Sequence, residues 1–133
     1  MPAIPAAVSR QLAACGVTGI TDMSPRNDPA MAAHFTTQME AGALVQNLWL
    51  AGSLELADAA AGPWRLGPAK LHLHEAALPA FEDATAFIKA AHRQHRAVAI
   101  HCVSEVELVF ALAAIEDASS LAGDRIEHAS VTS

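Results

Sequence analysis

Two stretches, AVAIHC (residues 97–102) and RIEHAS (residues 125–130), decide how this chain folds. Each reads as a β-strand ending in a histidine, His101 in the first and His128 in the second. Between them lies room for one helix, the crossover that joins two parallel strands. Two such strands in one sheet deliver both imidazoles to its carboxyl edge, where α/β proteins build their sites. Two imidazoles at one place are the usual beginning of a transition-metal site.

The same alternation runs outward in both directions. Residues 6–14 read as a short helix with Val8, Leu12 and Cys15 on one face and Gly16 as its stop. Residues 17–23 follow as a β-rich run. Asp28 is a helix N-cap and Pro29 the first helical residue, opening a helix to about Ala41 with Met31, Phe35 and Met39 on one stripe. Residues 44–51 are the next strand. The glycines and prolines of residues 52–67 allow only a short helix near residues 54–61 and then an irregular link. Residues 69–74 form a strand, 81–95 an amphipathic helix, and 97–102 a strand. Ser104 and Glu107 form a capping box that opens a helix to about Ala118, and residues 125–130 are the last strand. Five strands with intervening helices imply an α/β fold with a parallel sheet, in a single domain spanning residues 1–133.

Composition narrows the function. Over 133 residues, 53% hydrophobic content excludes a disordered chain, and a formal charge of −6 argues against nucleic acid, which needs a basic face. The cations Arg93 and Arg96, with His95, read as one solvated helix end. No apolar run reaches the ~18 residues of a membrane span, and residues 106–115 read as a buried helix. Residues 12–15 superficially match a lipoprotein cleavage site, but Ser9, Arg10 and Gln11 stand where an apolar region is required. Cys15 and Cys102 have no metal or redox spacing and read as reduced core thiols. A cytoplasmic protein without membrane or nucleic-acid partners is expected.

Strand parity sharpens the site. Ala97, Ala99 and His101 share one face of their strand, with Val98, Ile100 and Cys102 on the other. Lys70, His72 and His74 likewise face away from Leu71 and Leu73. His128 shares a face with Ile126, which sends Arg125, Glu127 and Ala129 toward the helices and leaves Glu127 in need of a cation or backbone donor. The alternative for each histidine is a hydrogen-bonded structural role, favoured for His72 and His74, whereas His34, His92 and His95 lie on helices and face solvent. For Lys70 the alternative is a salt bridge to a carboxylate such as Glu75. Asp22 ends its strand as a substrate-facing residue or, more simply, a turn residue.

The order Lys70, His101, His128 on successive strands resembles the amidohydrolase superfamily, in the branch of N-substituted formamide deformylase-like hydrolases. The stretches GVTGITDM (16–23), GPAKLHLHEAALP (67–79), AIHCVSEVEL (99–108) and DRIEHAS (124–130) carry the likeness. It implies a metal-dependent hydrolase (β/α)8 barrel of which this chain is strands 2 to 6, a partial barrel. It further implies a divalent metal, zinc being the expected ion, held by Lys70, His101 and His128. His72, His74, Glu75 and Asp22 are then candidate substrate or supporting groups. The implied activity is hydrolysis of carbon–nitrogen bonds in small amide-like substrates by a metal-activated water. The family's first-strand His-x-His and its general-base aspartate are not found in the positions expected. The chain therefore reads as an incomplete, inactive fragment that self-associates through open sheet edges. The competing readings are a non-catalytic, flavodoxin-like binding or assembly module, and a truncated product without activity.

Overall fold

The computed structural model describes residues 6–131. Helices α1 (Ala6–Ala14), α2 (Pro29–Glu40), α3 (Phe81–Arg93) and α4 (Glu105–Ala118) alternate with strands β1 (Gly19–Asp22), β2 (Asn47–Gly52), β3 (Arg65–His72), β4 (Val98–Cys102) and β5 (Arg125–His128). The alternation is the one the sequence predicts, with β1, β2, β4 and β5 shorter than expected; β3 instead begins at Arg65, within the stretch read as an irregular link, and ends at His72, short of His74. The chain divides inside β3 into two compact units, residues 1–67 and 68–133.

In the first unit, Asp28 caps α2 by accepting a hydrogen bond from the Met31 amide at 2.8 Å, and Pro29 takes the first turn. The stripe the sequence marks on α2 is the packed one. Phe35 joins Ala32, Leu44, Leu48, Leu50 and Leu56 in a core against which Met31 and Met39 lean. Helix α1 is anchored differently from the expectation. Val8 and Cys15 are exposed, and the fully buried residue is Ser9. Its hydroxyl donates to Gln46 Oε1 at 2.7 Å and accepts from the Val45 amide at 3.0 Å, while Gln46 Nε2 donates to the Ser9 carbonyl. A satisfied polar pair therefore replaces an apolar face, which hydropathy cannot reveal. Strands β1 and β2 run parallel from Gly19↔Asn47 to Asp22↔Leu50. At the start of β3, a Cβ on Gly67 would stand 2.9 Å from the Leu50 carbonyl oxygen, so glycine lets this backbone lie against β2. That places β2 beside the next strand in the chain, where the flavodoxin-like order would put β1.

In the second unit, β3, β4 and β5 are parallel and adjacent in chain order. Val98, Ala99, Ile100 and Cys102 are buried, as are Ala84, Ile88 and Ala91 on α3. Helix α4 departs from the expected buried helix. Its alanines Ala111, Ala114 and Ala118 are inside, while Val106, Val109 and Leu112 face outward, Val109 at 61% exposure. The small side chains permit close approach to the layer beneath, so the larger residues fall on the far side. Arg96 is a second correction. It is buried rather than solvated, with its guanidinium donating to the Pro68 carbonyl at 3.2 Å. His92 is likewise turned inward, bonded to Asp124 at 3.1 Å.

Candidate metal centre

Strand register sets the first layer of the site. Lys70 pairs with Ala99, and His72 with His101; Ala99 pairs with Arg125, and His101 with Glu127. Register partners in a parallel sheet project to the same face, so Lys70, His72, His101, Arg125 and Glu127 share one side. This overturns the expectation that Arg125 and Glu127 point toward the helices. The cation that Glu127 requires is Arg125, two residues back on the same face, at 2.6 Å.

His128 is the register partner of Cys102 and, by alternation alone, would turn away from His101. The backbone breaks that alternation. His128 and Ala129 have φ of 73° and 45°, a left-handed conformation that non-glycine residues adopt at a cost. The outcome is a His128 ring 4.5 Å from His101, their planes inclined at 73°. On the other side His72 stacks on His101 at 4.1 Å and 13°. Three imidazoles therefore adjoin, with His101 in the middle. The simple reading of His72 as an ordinary strand-end residue misses this, because only register shows that it faces His101.

Lys70 is 6% exposed and has no ion-pair partner among the described residues. Burial pushes its amine below the ordinary lysine value, against the partial support of Glu127. Burial also lowers the His101 imidazole, and the neighbouring His72, His128 and Lys70 add to the effect. Both groups are therefore biased toward the neutral state in which nitrogen is a donor to metal. Cys102 faces the helix layer and burial raises its thiol to about 11, so it remains protonated.

A cleft of about 370 Å³ opens beside these residues, lined by His72, His74, Glu75, His101, Ser104 and Glu107 among others. Glu75 makes no salt bridge to Lys70; its backbone amide instead donates to Glu107 Oε1 at 2.7 Å. Asp22 belongs to the first unit, where its Oδ1 accepts from the Ser24 amide and from Asn27 Nδ2, the turn role weighed for it. Glu107 is the residue whose part in the site the sequence conceals. The Ser104-x-x-Glu107 spacing shows a helix cap, but the carboxylate also holds the Val103 and Glu75 amides.

The donor set can be tested against a metal by ring orientation. An imidazole lone pair lies in its ring plane, so the near-parallel rings of His72 and His101 cannot aim at one ion. The inclined rings of His101 and His128 allow convergence. Among the described residues no group of three or more His, Cys, Asp or Glu side chains is arranged to hold a metal ion. The residues present thus fit two imidazole ligands of a site, with Lys70 as a neighbouring nitrogen of a different type.

No family model matches the sequence, and no curated protein is similar to it. Two crystal structures share its fold. An uncharacterized metal-dependent hydrolase from Pyrococcus furiosus is similar with a TM-score of 0.71 and 18% identity, over 91% of this chain and 31% of its own. A second uncharacterized metal-dependent hydrolase, from Pyrococcus horikoshii OT3, gives a TM-score of 0.68 and 17% identity, over 91% of this chain and 30% of its own. The chain is an α/β protein with the fold of part of a hydrolase barrel, spanning about a third of the length of these neighbours. No described helix is long and apolar enough to cross a membrane.

Proposed function

We propose that this chain carries the middle strands of a metal-dependent hydrolase in the amidohydrolase superfamily, with His101, His128 and Lys70 as ligands of a divalent ion, zinc being the expected one. The observation that supports it best is the inclined His101–His128 ring pair beside a buried lysine that has no ion pair among the described residues. Ligand strands of this order are what the motif resemblance implies, and the shared fold with two metal-dependent hydrolases is in keeping with it. An ion bound there would supply Lewis acidity, lowering the pKa of a water and polarising a carbonyl. The chain's own residues prepare for it. Burial lowers the Lys70 amine and the His101 imidazole from their ordinary values, which favours the unprotonated nitrogen that coordination or carboxylation requires. The raised Cys102 thiol does not compete as a thiolate.

The proposed reaction is hydrolysis of a carbon–nitrogen bond in a small amide-like substrate, in the manner of N-substituted formamide hydrolases. The general-base aspartate of that chemistry is assigned outside these residues, so the chain alone is expected to be inactive. It is also expected to self-associate through strand edges, and to be cytoplasmic. The coding DNA on either side tests the reading. In-frame His-x-His codons upstream and an aspartate codon at the end of a later strand downstream support it; flanks encoding neither contradict it. Metal-dependent amide hydrolysis by the 133-residue chain itself would overturn its assignment as incomplete.

A further inference from the structure

Glu107 occupies the third position of α4, where a glutamate ordinarily bonds back to the amide of its own N-cap. Here that bond, to the Ser104 amide at 3.2 Å, is the longest of three. Oε2 also accepts from the Val103 amide at 2.6 Å, and Oε1 reaches another loop to accept from the Glu75 amide at 2.7 Å. Val103 follows β4, two residues past His101, and Glu75 follows β3, three residues past His72. One carboxylate therefore joins the carboxyl ends of the two strands whose histidines stack.

The group is built for this and has little freedom to do otherwise. Glu107 is only 6% exposed, and a buried charge persists where hydrogen bonds replace its water. The Val103 hydrogen bond, the largest influence, holds the carboxyl below its ordinary value, with the Ser104 and Glu75 bonds adding to it. Its Glu75 bond contributes nothing to the cap of α4. What that bond fixes is the distance between the β3 and β4 loops, and so the width of the cleft that both loops line.

We infer that Glu107 is a positioning residue, which straps the loops after β3 and β4 together so that the His72 and His101 rings hold their stacked arrangement. Its carboxylate accepts from three backbone amides, and through them it acts on the two loops. The consequence for metal affinity rests on the proposed role of His101 as a ligand, while the consequence for the rings does not.

A pair of variants at Glu75 isolates the strap. Glu75→Ala removes the side chain and keeps the amide donor; Glu75→Pro removes the donor as well. Glu75 opens a short 3-10 turn after an extended His74 (φ −141°, ψ 117°), a place where proline is tolerated. Histidine ring carbon–proton signals are read by NMR without metal, and zinc affinity by calorimetry. The Ala variant should keep the wild-type His72 and His101 signals. The Pro variant should shift both, leave His92 and His95 unmoved, and bind zinc roughly 10-fold or more weakly, the scale of supporting-contact losses around metal ligands. Glu107→Gln, with one acceptor oxygen in place of two, should move the same two rings. A helix-destabilising control, Ala113→Gly on the exposed side of α4, should leave them in place. Identical ring signals in the Ala and Pro variants would overturn the inference. Wild-type protein that binds no zinc, with rings that shift as expected, would overturn the metal-site proposal and leave the strap standing.

Discussion

The rings of His101 and His128 lie 4.5 Å apart although the two residues are not register partners. The left-handed turn at His128 and Ala129 brings them together. Held strain of this kind is characteristic of functional positions. Ala129→Gly should relieve part of it, raising stability by ~0.5–1 kcal/mol once glycine's greater unfolded-state freedom is set against the gain. Urea denaturation reads the difference; a loss of stability of that size would show that the conformation is unstrained.

Lys70→Met should stabilise the chain at neutral pH by about 1–3 kcal/mol, the scale on which unpaired polar burial is costly. The sign follows from the lowered amine pKa. The folded state binds the proton less readily than the unfolded chain, so the penalty is complete below the folded value and disappears as pH rises past the ordinary lysine value. The advantage of methionine should therefore shrink on raising the pH toward about 10.4. An advantage independent of pH would mean that packing, not charge, is responsible.

Glu107 has the opposite dependence. Its carboxyl is lowered by backbone donors, so its contribution is present above the unfolded carboxylate value and lost as pH falls through the folded one. Wild-type protein should be more stable than Glu107→Gln at pH 7, and the two should converge on acidification below about 4.3. Urea midpoints measured from pH 7 to pH 3 give the comparison directly. A gap that stays constant would show that the carboxylate charge is irrelevant to the strap.

Gly67→Ala should cost about 1–3 kcal/mol, because the new methyl meets the Leu50 backbone, which cannot rotate away. Thermal melting would register the loss. A melting temperature equal to that of wild type would argue that β3 does not begin against β2.

The alternation of helices and strands was legible because its signals are local. Asp28 with Pro29, Ser104 with Glu107, and the apolar parity of Val98, Ile100 and Cys102 each act over a few residues, and each is where the structure uses it. Lys70, His101 and the face of β3 were legible for the same reason. What failed depended on partners distant in sequence or on broken periodicity. The orientation of Glu127 requires the β4–β5 register, and that of His128 requires a positive φ that no neighbouring glycine announces. Ser9 and Arg96 are buried because Gln46 and the Pro68 carbonyl meet them, and composition alone counts both as surface. The exposed side of α4 reflects packing by alanine, which hydropathy ranks below the valines it displaces outward.

Zinc binding by wild-type protein and by the His101→Ala/His128→Ala double variant bears most directly on the proposed metal centre. Both proteins would be stripped of metal, equilibrated with zinc, dialysed and analysed for bound ion, with circular dichroism to verify that the variant is folded. Wild type should retain close to one zinc ion per site assembled, and the folded double variant none. Equal retention by the two, or no retention by wild type, would contradict the assignment of His101 and His128 as ligands.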